Sequence, residues 1–103
     1  MKIINKTPHQ VNVITNNGTI TFQKSDDPIR LSSDETQTGT INRIPVFSVT
    51  YGSGNMPEQV IGVAYIVSAL VKNAYPDRTD LLIPHGLVRD EEGNIVGCKG
   101  FAK

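Results

Sequence analysis

Asn16-Asn17-Gly18 constrains this chain more than any other stretch, because it stands between two runs that read as strands. From Gln10 to Thr15 the residues alternate, with Val11, Val13 and Thr15 on one face and Gln10, Asn12 and Ile14 on the other. A period of two is the signature of a β-strand. Asn-Gly tolerates positive φ at both positions, so it marks a tight reversal. Thr19-Ile20-Thr21-Phe22 then returns as the partner strand.

The rest of the chain adds pieces to that hairpin. Residues 24–39 are polar apart from Ile29 and Leu31, and predict a short edge strand near Pro28–Leu31 followed by a loop. Proline suits the start of an edge strand, where a missing N–H breaks no ladder bond. Ile44–Tyr51 has apolar residues on both faces and predicts a central strand buried on both sides. Residues 60–75 carry two patterns. Val63, Ala64, Val67, Leu70, Val71 and Ala74 fit a helical stripe, yet residues 63–67 are also β-rich. The preferred reading is a strand to Val67, Ser68 as N-cap, and a helix over Ala69–Tyr75 that Pro76 stops. Leu81-Leu82-Ile83-Pro84 reads as a strand ended by proline. Residues 86–101 read as a second hairpin turning at Glu91–Asn94, where Gly93 supplies positive φ. With 103 residues, no linker and no internal repeat, the chain predicts one domain over residues 1–103. Its class is α+β: a small β-rich domain with two hairpins, a central strand and one helix packed on the sheet.

Charge and composition exclude several functions. Ten Lys and Arg balance ten Asp and Glu. Residues 1–30 are net +2, residues 31–62 net −2 and residues 63–103 neutral. No basic stripe exists of the kind duplex nucleic acid requires. No apolar run approaches the ~20 residues of a membrane helix, and the first residues lack the apolar centre of a signal peptide. The single cysteine, Cys98, allows no intrachain disulfide. A cytoplasmic domain that uses neither a cofactor nor a metal is the resulting expectation. His9 and His85 have no spacing that suits a metal with Asp80 or Asp90.

Asn5-Lys6-Thr7-Pro8-His9 is similar to the Asn-Leu-Thr-Pro-His opening of a family of short phage and prophage proteins. The order of Ile44-Pro45-Val46, Tyr51-Gly52, Met56-Pro57-Glu58 and Tyr65-Ile66-Val67-Ser68 also resembles that family. So does the order of Arg78-Thr79-Asp80-Leu81, Leu87-Val88-Arg89-Asp90 and Gly93-Asn94-Ile95-Val96-Gly97-Cys98. Lys6 replaces the family's usual leucine, and His85-Gly86 stands where Gly-Glu or Gly-Pro is more familiar. The resemblance implies a phage accessory role in the bacterial cytoplasm. Phages keep proteins of this size to counter host immunity, some by capturing nucleotide second messengers; extending that role to this chain is analogy of setting.

The candidate ligand-binding residues follow from chemistry. In an extended segment Asn5, Thr7 and His9 share a face and can present an amide, a hydroxyl and an imidazole together. The alternative is a set of side-chain-to-backbone bonds at a strand start. Arg78 and Arg89 offer planar forks for phosphate, with Asp80 and Asp90 beside them; the alternative is Arg–Asp ion pairs. Tyr51 and Tyr65 are candidates to stack on a base, and Ser68 to cap the helix beside a ligand. Together these predict a non-enzymatic protein holding a small nucleotide-like anion in a pocket between subunits of a homo-oligomer. Two alternatives stay open. One is a phosphodiesterase-like hydrolase using His9 or His85; the other is an inhibitor that meets a host enzyme through the acidic 25–36 loop.

Overall fold

In the computed structural model, which describes residues 1–103, the chain opens with strand β1 (Lys2–Asn5). The expected hairpin follows as β2 (Val11–Thr15) and β3 (Gly18–Phe22). Thr15 pairs with Gly18, and the positive φ of 121° falls on Gly18, not on either asparagine. The Thr15 hydroxyl donates to the Gly18 carbonyl at 2.8 Å and accepts from the Asn17 N–H at 3.2 Å, which fastens the reversal. Next come β4 (Ser32–Ile41), β5 (Ile44–Gly52), β6 (Val63–Ile66), α1 (Ala69–Ala74), β7 (Leu81–Arg89) and β8 (Ile95–Ala102). Strand makes up more than half of the chain and the one helix has six residues, so the protein is more β-rich than an α+β label implies.

Six strands form one sheet in the order β1-β6-β7-β8-β2-β3. β6 lies parallel to both β1 and β7, and a parallel crossover needs a connection long enough to carry the chain back across the sheet. Residues 67–80 supply it. The Ser68 side chain accepts from the Val71 N–H at 3.3 Å, and the helix runs to Tyr75 at its C-cap, with Pro76 beyond. The strand–cap–helix reading of residues 63–75 therefore describes this segment.

β6 is the strand buried on both faces. Tyr65 packs with Ile29, Val71 and Leu81, and Val67 just beyond the strand joins them. Ile66 packs on the other side with Val11, Val13 and Cys98. Alternate residues of a strand point to opposite faces, so one short strand seeds both clusters. Each such buried side chain contributes roughly 1.5–3 kcal/mol relative to exposure. β8 meets β2 in parallel at Cys98 and Val13. Gly97 permits that approach, because a Cβ there would stand 2.8 Å from the Asn12 carbonyl oxygen and 2.9 Å from Ile14 Cδ1.

Five expectations are corrected. Ile44–Tyr51 is not a central strand. It belongs to β5, which pairs only with β4, and every residue of that pair except Val46 and Gly52 is exposed. The stretch after Leu31 is not a loop: residues 32–41 form β4, so part of the acidic 25–36 segment is strand, and there is no strand at residues 28–31. The chain thus has three hairpins, not two. Pro84 does not end its strand either. β7 runs through it to Arg89, because its pairing with β6 stops at Leu82 and proline is tolerated where one side of a strand is open.

The β4–β5 hairpin stands away from the sheet as an arm. The molecule measures 56 × 39 × 23 Å with a radius of gyration of 17.0 Å, against about 13 Å for a compact chain of this length. Asn42 and Arg43 turn the arm with φ of 51° and 67°, the positive values that a type I′ turn needs. Its root is fixed to the body. The Asn55 amide donates to the Pro28 carbonyl at 2.8 Å and its oxygen accepts from the Arg30 N–H at 3.0 Å. The Ser53 N–H donates to the Tyr75 hydroxyl at 2.8 Å. No helix of the protein is long and apolar enough to cross a membrane.

Candidate functional site

The Asn-x-Thr-Pro-His segment folds into a latch. Pro8 restricts Thr7 to extended backbone, and the chain reverses after β1 with Asn5 and Thr7 both buried. The Asn5 side-chain oxygen accepts from the Thr7 N–H at 2.9 Å and from the Thr7 hydroxyl at 2.7 Å. Its amide donates to the His9 carbonyl at 2.7 Å and the Gln23 carbonyl at 3.1 Å. The Thr7 carbonyl accepts from the Ser25 N–H at 2.9 Å, and the Lys6 carbonyl from the Ile29 N–H at 3.0 Å. Asn5 and Thr7 therefore converge on each other and on three stretches of backbone. The His9 side chain is exposed beside them.

A second polar centre joins the end of the helix to β7. Arg78 donates through Nε to one Asp80 carboxylate oxygen at 2.8 Å and through Nη2 to the other at 2.7 Å. Nη1 donates to the Pro57 carbonyl at 3.0 Å. The Asp80 side chain is 5% exposed and that of Arg78 19%. The hydrogen bonds from Arg78 hold the Asp80 carboxyl below its usual range, against the opposing effect of burial; the same bonds raise Arg78. Arg89 and Asp90 do not pair with each other. Arg89 Nη1 donates to the Gly93 carbonyl at 2.9 Å, and the Asp90 carboxylate accepts from the Glu92 and Asn94 N–H groups, both at 2.9 Å. Both residues thereby brace the β7–β8 turn. Tyr65 is buried with its hydroxyl donating to the Glu58 carbonyl at 3.2 Å, and Tyr51 lies on the arm, 47% exposed.

A groove of about 330 Å³ lies where β2, β7 and β8 meet the start of α1. Thr7, His9 and Ser68 line it, so three of the ten sequence candidates come together there. Asn5, Tyr51, Tyr65, Arg78, Asp80, Arg89 and Asp90 do not line it. Its other polar lining is Gln10 and Asn12, and its apolar lining includes Val11, Val67, Leu87, Ile95 and Val96. Asn12 is held in place: its oxygen accepts from Gln10 at 3.0 Å and from the Thr21 hydroxyl at 2.9 Å, and its amide donates to the Val96 carbonyl at 3.3 Å. His9 and Cys98 are the ionisable side chains of the lining, and no lysine or arginine belongs to it. Sequence reasoning missed Gln10, Asn12 and the apolar wall. The polar face of the first alternating strand was the available signal for the first two. No three His, Cys, Asp or Glu side chains gather as a metal site would require.

No protein-family model, curated protein or solved structure matches this chain.

Proposed function

We propose that the protein is a non-enzymatic binding protein that captures a small nucleotide-like ligand in the groove between β2, β7 and β8, as a phage-type accessory protein would to withdraw an immune second messenger. The observation that carries this reading is the groove's lining, an apolar wall with His9, Gln10, Asn12, Thr7 and Ser68 along the same opening. Small-molecule sites combine largely apolar surface with a few placed polar groups. The flat heterocycle of the ligand lies against the exposed Leu87, Ile95 and Val96, and Gln10 reads its polar edge. Arg78 and Arg89 are engaged elsewhere, so recognition of negative charge inside the groove falls to His9.

A thermal-shift panel of nucleosides, mononucleotides, cyclic oligonucleotides and ADP-ribose derivatives tests this. A ligand at 100 times its dissociation constant adds about 2.7 kcal/mol, which for ~100 residues raises the midpoint by roughly 10–20 °C. The expected result is such a shift with the compound recovered intact, lost in His9→Ala. A flat panel, or an equal shift in His9→Ala, contradicts the reading; recovery of a cleaved compound converts it to a hydrolase.

A further inference from the structure

The arm carries an apolar face that nothing in the single chain covers. Phe47, Val49 and Tyr51 alternate along β5 and share one side, where they are 52%, 40% and 47% exposed. Across the ladder stand Gln37, Glu35 and Ser33. Ile41 and Ile44, paired at the tip, are exposed too, with Ile44 on the side opposite Phe47. An isolated two-stranded hairpin is marginal in water and becomes stable when one face is packed. The arm is nonetheless paired from Ser32 to Ile41 with one register shift between Gln37 and Gly39, and its direction is set at the root by Asn55 and Tyr75.

We propose that a second copy of this chain covers that face, in a two-fold dimer in which each arm lies across the body of the other. Area decides between this and a one-sided contact. β4 has 10 residues, so at about 3.4 Å per residue and with two strands about 4.8 Å apart, one face of the arm covers roughly 350 Å². One arm seated on one surface, or two arms stacked on each other, buries roughly 700 Å² in total, the size of a crystal contact. Reciprocal exchange doubles this to roughly 1,400 Å², within the range of stable specific interfaces. Both halves of such a contact exist on one chain, because Leu87, Ile95 and Val96 leave the body with exposed apolar surface of its own. A two-fold axis also closes the assembly and leaves no arm free to propagate a filament.

The seat of the arm includes Leu87, Ile95 and Val96 of the groove's lining, so the dimer is tested on ligand-free protein, in a measurement separate from the ligand panel. Light scattering on a sizing column reads the mass of wild type, Phe47→Glu and Thr50→Glu. Thr50 pairs with Asp34 in the ladder and occupies the face opposite Phe47, which makes Thr50→Glu the control for added charge. Wild type and Thr50→Glu are expected at twice the chain mass at micromolar concentration, and Phe47→Glu at the chain mass with the circular dichroism of a folded body. A monomeric wild type, a dimer that survives Phe47→Glu, or equal dissociation by both substitutions overturns the proposal.

Discussion

Asn5 and Phe47 show how differently the two parts of this molecule are held. In the body, Asn5 sits at the end of β1 with both ends of its amide engaged, tying together residues 5–9 and 22–23 from inside. In the arm, Phe47 projects from a two-stranded ladder with half of its surface open. The body satisfies itself with two apolar clusters and two buried polar centres. The arm satisfies its backbone and leaves its side chains for something outside the chain. Stability in the body therefore depends on polar groups that cannot lose a partner, and stability in the arm on a surface that has yet to gain one.

The sharpest way to break this contrast is Asn5→Ala. It removes the acceptor of the buried Thr7 N–H and the donor to three carbonyls, and a buried polar group left unpaired costs about 1–3 kcal/mol. With more than one such group affected, the expected loss is about 2–4 kcal/mol, read as a drop of roughly 10–25 °C in Tm. A change of only a degree or two would show that the latch does not hold the body.

Asp80→Asn follows in size. Removing one partner of a buried pair costs roughly 3–5 kcal/mol, and the partial exposure of Arg78 reduces this to about 2–3 kcal/mol. The pH dependence has a definite sign. The carboxyl is held below its ordinary value of 3.8 in the folded protein, so the unfolded chain takes up the proton first. The pair's contribution is complete above about pH 4 and drains away as pH falls through the lower folded value. Urea midpoints of the wild type should fall across that window, and those of Asp80→Asn should fall less.

A smaller effect belongs to the arm. Arg43 turns the hairpin at a φ of 67°, a conformation that glycine adopts without the steric cost to a side chain. Arg43→Gly should stabilise the arm by about 0.5–1 kcal/mol, slowing amide exchange in residues 32–52 and leaving the Tm of the body unchanged. Slowed exchange throughout the sheet would mean that arm and body form one cooperative unit.

The same contrast explains what was legible in the sequence. The β2–β3 reversal, the β6–Ser68–α1 passage and the β7–β8 turn are written locally, in Asn-Gly, in a serine cap before a helix that proline stops, and in a glycine between acidic residues. The Arg78–Asp80 pair was visible as an alternative because its members are two residues apart. β4 was illegible for a physical reason: a strand with neither face buried needs no apolar alternation, and the β-propensity of Thr36, Thr38 and Thr40 was its one signal. β5 misled in the opposite sense, since its apolar residues imply burial that the single chain does not provide. The groove could not be read at all from spacing. Its lining comes from residues 7–12, 67–68, 84–87 and 95–98, which the antiparallel β7–β8 pairing and the parallel β2–β8 and β6–β7 pairings together bring side by side.

Amide hydrogen exchange on the wild type and on Phe47→Glu, resolved to β4–β5 and to β6–β7, tests most directly whether the arm is partnered. A covered arm predicts protection of residues 32–52 in the wild type that approaches that of the body and is lost in Phe47→Glu, with β6–β7 protected equally in both. Fast exchange of the arm in the wild type, or protection that Phe47→Glu leaves intact, would contradict it.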